Sequence, residues 1–261
     1  MAIVFVRTLL GTAVLVAIAL VRGHSLRVPR SNYLSLFLAG ALGVFLHQLL
    51  QAHALTLTTA VRTGWLIGVI PIWSTILALL FLGERLWLLK CGGLAIGFCG
   101  VLLLITGGNL DGLLLPRTTG DLLILSSTIN WAIYTVLGRR VVERVNPIVA
   151  TTLIFCVGLA LLLPSAHAAD VWPEYDGLSA LGMAAILFLG IGCSGIAYLL
   201  WCEALKRAST SSVASLLYLE PLVTLSGAIV LLSEEVTVAT LCGGLLVLVG
   251  VYFVQRPKPV I

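Results

Sequence analysis

The chain has 261 residues, 60% of them hydrophobic and only 10% charged, with a formal net charge of +4. A soluble domain is about half apolar and about a quarter charged, so a water-soluble globule is excluded. The basic excess lies between apolar runs, without aromatic–basic interleaving, which excludes a nucleic-acid surface and suits loops at a membrane face.

Crossing about 30 Å of hydrocarbon takes about 20 helical residues. Nine segments meet that length: 2–21, 33–54, 61–82, 88–107, 119–138, 147–164, 178–201, 210–232 and 237–254. Such continuous runs predict helices rather than the short alternating strands of a barrel, because each backbone polar group in lipid must be bonded within its own span.

The first segment carries Arg7 inside it and Arg22 behind it. Without a leading positive charge or a small-residue end it reads as a retained span rather than a signal peptide. The second ends in the densest polar cluster of the chain, His47, Gln48 and Gln51. Gln48 shares a face with Gln51, and so does His47. Polar groups in a span face a cavity or a partner, so these three are solute-binding candidates, with interhelical hydrogen bonding or a cap at the outer interface as the plainer readings. The third segment holds Trp65, Trp73 and Pro71. A proline lacks the amide proton and loosens its helix about one turn back. Glu84 and Arg85 at its end are placed for a cytoplasmic salt bridge that would act as a gate. In the fourth, Gly93 and Gly97 form a small-residue pair for close helix packing.

The fifth segment places Asn130 and Tyr134 on one face, with Trp131 beside them. The connection from Pro164 to Asp176 is the longest polar one, with Trp172 and Tyr175 as interfacial anchors. Gly190, Gly192 and Gly195 in the seventh segment suggest close or pliable packing. Tyr198, Trp201 and Tyr218 join Trp65 and Trp73 as aromatic candidates for a cavity wall or for the lipid face. Glu220 lies midway along the eighth segment, directly before Pro221. It is the candidate for a coupling proton or a substrate amine, with an acid hydrogen-bonded to its helix neighbours or facing a water-filled funnel as the plainer readings, and Pro221 is the candidate for a bend. The cysteines, at 91, 99, 156, 193, 202 and 242, show no ligand spacing and read as small buried thiols.

Loop charges set the orientation. Arg22, Arg27, Arg30, Arg85, Lys90, Arg139, Arg140, Arg144, Lys206, Arg207, Arg256 and Lys258 fall on one side if the spans alternate. Asp111, Asp121, Asp170, Glu174, Asp176, Glu234 and Glu235 fall on the other, with Arg62 and Arg117 as its main basic residues. The positive-inside rule makes the first side cytoplasmic.

Sliding the chain by 150 residues brings Ala54-Leu55 onto Ala204-Leu205, Pro71 onto Pro221, Glu84 onto Glu234, Gly93 onto Gly243, and Gly100-Val101 onto Gly250-Val251. Each repeat unit holds five helices, an odd number, so the copies are expected to be inverted in the membrane, with a site between the halves. The repeats are expected at 1–107 and 119–254. The partner of segment 119–138 would precede Met1, so the first repeat is expected to lack one helix here, through a late start or a shortened chain.

Pro71 with Gly83-Glu84-Arg85, Gly93 and Gly100-Val101, then Glu220-Pro221, Glu234, Gly243 and Gly250-Val251, make a pattern. With Arg7 and Asn130-Trp131-Ala132-Ile133-Tyr134, it resembles the EamA-domain proteins of the ten-helix drug/metabolite transporter superfamily. Ser233-Glu234-Glu235 departs from the Gly-Glu pattern of that family. The resemblance implies an all-α, polytopic membrane protein of two inverted five-helix repeats. It implies a bacterial inner-membrane carrier, monomer or homodimer, that exports small metabolites (amino acids, their derivatives or drug-like solutes) by alternating access. Membrane lipid and a coupling proton are its expected partners, without nucleic acid, cofactor, metal or covalent chemistry. The chain has no phosphate-loop motif. The competing readings are a non-transporting scaffold or receptor, and a membrane enzyme, which would gather several ionisable groups at one depth.

Overall fold

The computed structural model describes residues 2–109, 116, 118–168, 179–232 and 237–256. The expected anchors Trp172 and Tyr175, the acidic residues Asp111, Asp170, Glu174, Asp176, Glu234 and Glu235, and Arg117, Ser233 and Lys258 lie outside the described residues. Every described element is helical: α1 (Ala2–Val21), α2 (Tyr33–Gly40), α3 (His47–Ala54), α4 (Ala60–Ile67), α5 (Ile70–Leu82), α6 (Leu88–Thr106), α7 (Thr119–Val142), α8 (Pro147–Ala168), α9 (Ala180–Leu187), α10 (Ala197–Arg207), α11 (Thr210–Ser215), α12 (Glu220–Leu232) and α13 (Val238–Gln255). Short π or 3₁₀ segments join several of them into longer rods. Among the described residues, eight helices are long and apolar enough to cross a membrane, so the chain is a polytopic all-α membrane protein. The remaining expected span, 210–232, is helical throughout but built of α11, a 3₁₀ turn (Leu216–Leu219) and α12.

The chain divides into two compact units, Met1–Ala52 with Ile133–Ala208, and His53–Ala132 with Ser209–Ile261. Each draws on both halves of the sequence, so the units cut across the repeats expected at 1–107 and 119–254.

In the first unit, two rods share one construction. Residues 30–54 run α2, a π-helical segment (Ala41–Leu46) and α3, while residues 180–207 run α9, a π-helical segment (Phe188–Ile196) and α10. The two π segments overlap under the same 150-residue shift. Each receives a straight helix from the other half of the chain. A Cβ on Gly190 would stand 2.6 Å from Leu10 Cβ of α1, and one on Gly40 would stand 2.7 Å from the Ile154 carbonyl of α8. Gly40 and Gly190 are themselves 150 residues apart. Ala2, Val4, Phe5 and Leu162 form the apolar core between α1 and α8. Polar side chains along α1 bond back onto their own backbone, as Thr8 to Val4 and Thr12 to Thr8, which satisfies their hydroxyls without a partner helix, while Thr152 of α8 shares its hydroxyl between its own Ile148 carbonyl and the Leu15 carbonyl of α1.

In the second unit, α6 and α13 pack along a glycine seam. A Cβ on Gly93 would lie 2.8 Å from the Gly250 carbonyl, and one on Gly100 would lie 2.8 Å from that of Gly243. The pairing is crossed: 93 meets 250 and 100 meets 243, so the helices run antiparallel. Around the seam Leu94, Val101, Leu104, Tyr218, Val247, Val251 and Val254 make the core. Both proline-bearing rods are broken at matching places. Residues 61–82, expected as one helix, stop at Ile67 and restart at Ile70 with Pro71 in the first turn. The second rod passes through its 3₁₀ turn immediately before Glu220-Pro221. Thr59 and Ser209, again 150 apart, cap the starts of α4 and α11 by accepting from the Arg62 and Ser212 amides.

Candidate functional site

The first unit gathers its polar and aromatic groups beside the two π segments. A π turn leaves its carbonyls poorly matched to the regular ladder and is frequent at functional sites. The Gly43 carbonyl, inside the first π segment, accepts from the Tyr198 hydroxyl at 3.2 Å. Gly43 has no side chain because Tyr134 occupies that space: a Cβ there would fall 2.2 Å from Tyr134 Cδ2. Tyr134 and Tyr198 stand with ring centroids 6.0 Å apart, and Phe155 meets Tyr198 edge-on at 4.9 Å. Tyr134 Oη contacts Cys202 Sγ at 3.8 Å. From the second π segment, Ser194 Oγ accepts from Arg7 Nε of α1 at 2.9 Å. His47 and Gln48 follow the first π segment directly and are buried, while Gln51, one turn on, is half-buried. Of the expected candidates, then, His47, Gln48, Gln51, Tyr134 and Tyr198 belong to this unit.

Trp65, Pro71, Asn130, Trp131, Glu220 and Pro221 belong to the second unit. Near the break at Pro71, buried polar atoms of Trp65 (Nε1), Trp73 (Nε1), Ser74 (Oγ) and Thr75 (Oγ1) have no hydrogen-bond partner among the described residues. Asn130 is buried and Trp131 half-buried in α7. Glu220 lies midway along the rod of residues 210–232, in the first turn of α12, and is exposed at the residue level.

Three polar ties in this unit escaped the sequence reading. Glu84 does not pair with Arg85; its carboxylate accepts from the Thr210 amide, the Ser211 amide at 3.3 Å and the Ser211 hydroxyl at 2.7 Å. Glu84 thereby satisfies the open amides that begin α11, an end-of-helix attraction stronger than a solvent-exposed pair with its neighbour. Lys90 Nζ, buried, donates to Ser209 Oγ at 3.0 Å and Ser211 Oγ at 2.8 Å. At the other end of the same rod, Asp121 is fully buried and holds Arg62 at 2.6 Å and the Thr58 hydroxyl at 2.7 Å. Thr118 and Asp121 exchange side-chain and amide bonds at 3.1 Å each, a reciprocal cap at the start of α7. The Thr-x-x-Asp spacing was the available signal for that cap. Nothing in the sequence pointed to Arg62 as its partner.

The cysteines are less enclosed than expected: Cys202 is buried, but Cys91, Cys99 and Cys242 are exposed. Among the described residues, no three His, Cys, Asp or Glu are grouped to hold a metal ion.

Comparison with known proteins gives consistent results. The model of the EamA-like transporter family matches residues 1–106 and 118–256. An uncharacterised transporter of Archaeoglobus fulgidus is 31% identical over 95% of this chain and 85% of its own length. A probable terminal-alkyne amino-acid exporter of Streptantibioticus cattleyicolor is 28% identical over 94% of this chain and 81% of its own. A crystal structure at 22% identity superposes with a TM-score of 0.80, over 97% of this chain and 88% of that one, and shows the same fold.

Proposed function

The chain belongs to the EamA-like transporter family, and from that premise we propose that it is a secondary transporter exporting small metabolites. The solutes are amino acids, their derivatives or drug-like compounds, and the membrane is the bacterial inner membrane. The observation that carries the reading is the matched interruption of helices. Two rods break into π segments, and two more break ahead of Pro71 and Pro221. Interrupted helices expose backbone groups to a solute, and repeat-related interruptions are a hallmark of carriers that present one site alternately to both sides. The crossed, antiparallel glycine seam between α6 and α13 supports inverted repeats.

In this reading the solute meets the buried pair His47 and Gln48 with Gln51 and the aromatic walls Tyr134 and Tyr198 of the first unit; Trp65, Asn130 and Trp131 are the solute-binding candidates of the second unit, taken by itself. Pro71 and Pro221 shape the rods, and Glu220 carries the coupling proton. The amino-acid part of the solute class draws support from the Streptantibioticus cattleyicolor relative, a probable terminal-alkyne amino-acid exporter. The arginine-rich loops face the cytoplasm.

The test is uptake and efflux in proteoliposomes loaded with the twenty radiolabelled amino acids, with and without an imposed proton gradient. Flux above that of empty vesicles, in exchange or down a gradient, is the expected result. A well-folded preparation that moves and binds no solute would make the protein a scaffold or receptor instead.

A further inference from the structure

Arg7 is the only charged residue of the 20-residue helix α1. A guanidinium in a span is costly unless its charge is answered. Its Nε donates to Ser194 Oγ at 2.9 Å, and Ser194 is itself fully buried in the second π segment. That neutral hydroxyl is its one hydrogen-bond partner among the described residues. The described carboxylates of the same unit lie elsewhere: Glu143 is bonded to Arg139 and Glu203 to Arg207, each one helical turn away. No protein anion among the described residues therefore balances Arg7.

The geometry of the bond decides what can. With Nε committed to Ser194, the guanidinium is fixed in rotation and its two terminal amino groups remain as a fork. Such a fork matches the two oxygens of a carboxylate, with charge-assisted bonds about twice as strong as neutral ones. The placement is built rather than incidental. Close approach of α1 to the π segment requires Gly11, where a Cβ would stand 2.9 Å from Ser194 Cβ, and Gly190 against Leu10. Ser194 stands one helical turn before Tyr198, the phenol that bonds Gly43, on the same rod, so the tie to Arg7 neighbours the cluster already described.

We infer that Arg7, positioned by Ser194, binds the carboxylate of the transported solute, which makes the solute class carboxylate-bearing rather than a simple cation or a neutral drug. The inference rests on the transporter reading but is tested separately from it. Leucine is compared with 3-methylbutylamine, its decarboxylated counterpart, in two measurements. One is flux in liposomes made with or without phosphatidylglycerol. The other is thermal stabilisation of the detergent-purified protein. The variants are Arg7→Gln, Arg7→Lys and Ser194→Ala, each first shown to be monodisperse. The remaining amino acids and their matched amines are run as further pairs.

The expected result is that wild type moves and is stabilised by amino acids and not by the amines. Arg7→Gln should lose this preference with at least about a tenfold rise in half-saturation, the scale of a lost charged hydrogen bond. Arg7→Lys should keep part of it, and Ser194→Ala should raise half-saturation more than it lowers maximal flux. Stabilisation by amino acids without any flux would overturn the transport reading and leave the carboxylate site standing. Flux with acid and amine treated alike, or unchanged in Arg7→Gln, would overturn the site alone. So would an Arg7→Gln defect that appears only with phosphatidylglycerol, since the fork would then hold a lipid phosphate. Neither flux nor stabilisation by any amino acid would overturn both.

Discussion

Asp121 is the most committed single residue in the second unit. Fully buried, it accepts from the Thr118 amide, the Thr58 hydroxyl and the Arg62 side chain, whose exposure is 17%. Removing one partner of a buried pair leaves the other charge unanswered, at about 3 kcal/mol or more. Asp121→Asn should therefore lower the unfolding temperature in detergent strongly, while the double variant Asp121→Asn/Arg62→Gln should recover part of the loss. Equal damage in the single and double variants would show that the Thr118 cap, rather than the ion pair, carries the stability. Glu220 makes the opposite case, an exposed residue in the first turn of α12 whose side chain has no hydrogen bond or ion pair among the described residues. If it carries the coupling proton, amino-acid flux driven by a proton gradient should depend on pH in wild type and lose that dependence in Glu220→Gln, while solute exchange persists. An unchanged pH profile would remove Glu220 from the coupling step. Sequence alone singled out Glu220, because a lone acid beside a proline in an apolar run is conspicuous. It passed over Asp121, because the partner that gives Asp121 its role lies 59 positions away at Arg62.

At the scale of helices, the glycine seam separates neighbours that look alike in sequence. Gly92 and Gly93 are adjacent in α6, yet a Cβ on Gly92 would meet nothing within 4 Å, whereas one on Gly93 would meet the Gly250 carbonyl at 2.8 Å. Gly92→Ala should leave the melting temperature unchanged or raised, since alanine favours a helix over glycine by about 1 kcal/mol. Gly93→Ala should lower it by the equivalent of about 1–3 kcal/mol, the usual penalty of overpacking. Similar shifts in both would mean that α6 and α13 do not depend on the close approach. The seam was half legible: the 150-residue repeat picked out Gly93, Gly100, Gly243 and Gly250, but which glycine meets which follows only from the antiparallel crossing. Hydropathy likewise located the rods, and Pro71 and Pro221 announced their breaks because a missing amide proton is a local fact. The π segments Ala41–Leu46 and Phe188–Ile196 left no such mark. Their residues are ordinary helix formers and glycines.

At the scale of the molecule, the two compact units and the two halves of the sequence are different partitions of the same chain. The first unit joins Met1–Ala52 to Ile133–Ala208, and the second joins His53–Ala132 to Ser209–Ile261. Helix α7 passes from one unit into the other at Ala132–Ile133. A break in the connection between α6 and α7 would therefore leave both units intact in contacts but divided between two polypeptides. Either half alone would expose the faces that its partner covers: α1 would lack the second π segment, and α6 would lack α13. In a bilayer such faces gain little from hydrophobic burial, so the specific close packing and the polar ties must hold the halves together. Those ties are numerous across the break, including Arg7 to Ser194, Tyr198 to Gly43, Glu84 to Ser211 and Arg62 to Asp121. Residues 1–107 and 119–261, expressed as separate chains with different tags, should each be degraded or aggregate alone. Expressed together, they should copurify and regain the thermal stability of the intact protein to within a few degrees. Independent folding of either fragment, seen as a monodisperse and cooperatively melting species, would mean that the repeats are autonomous and that the interleaved units form only after they dock.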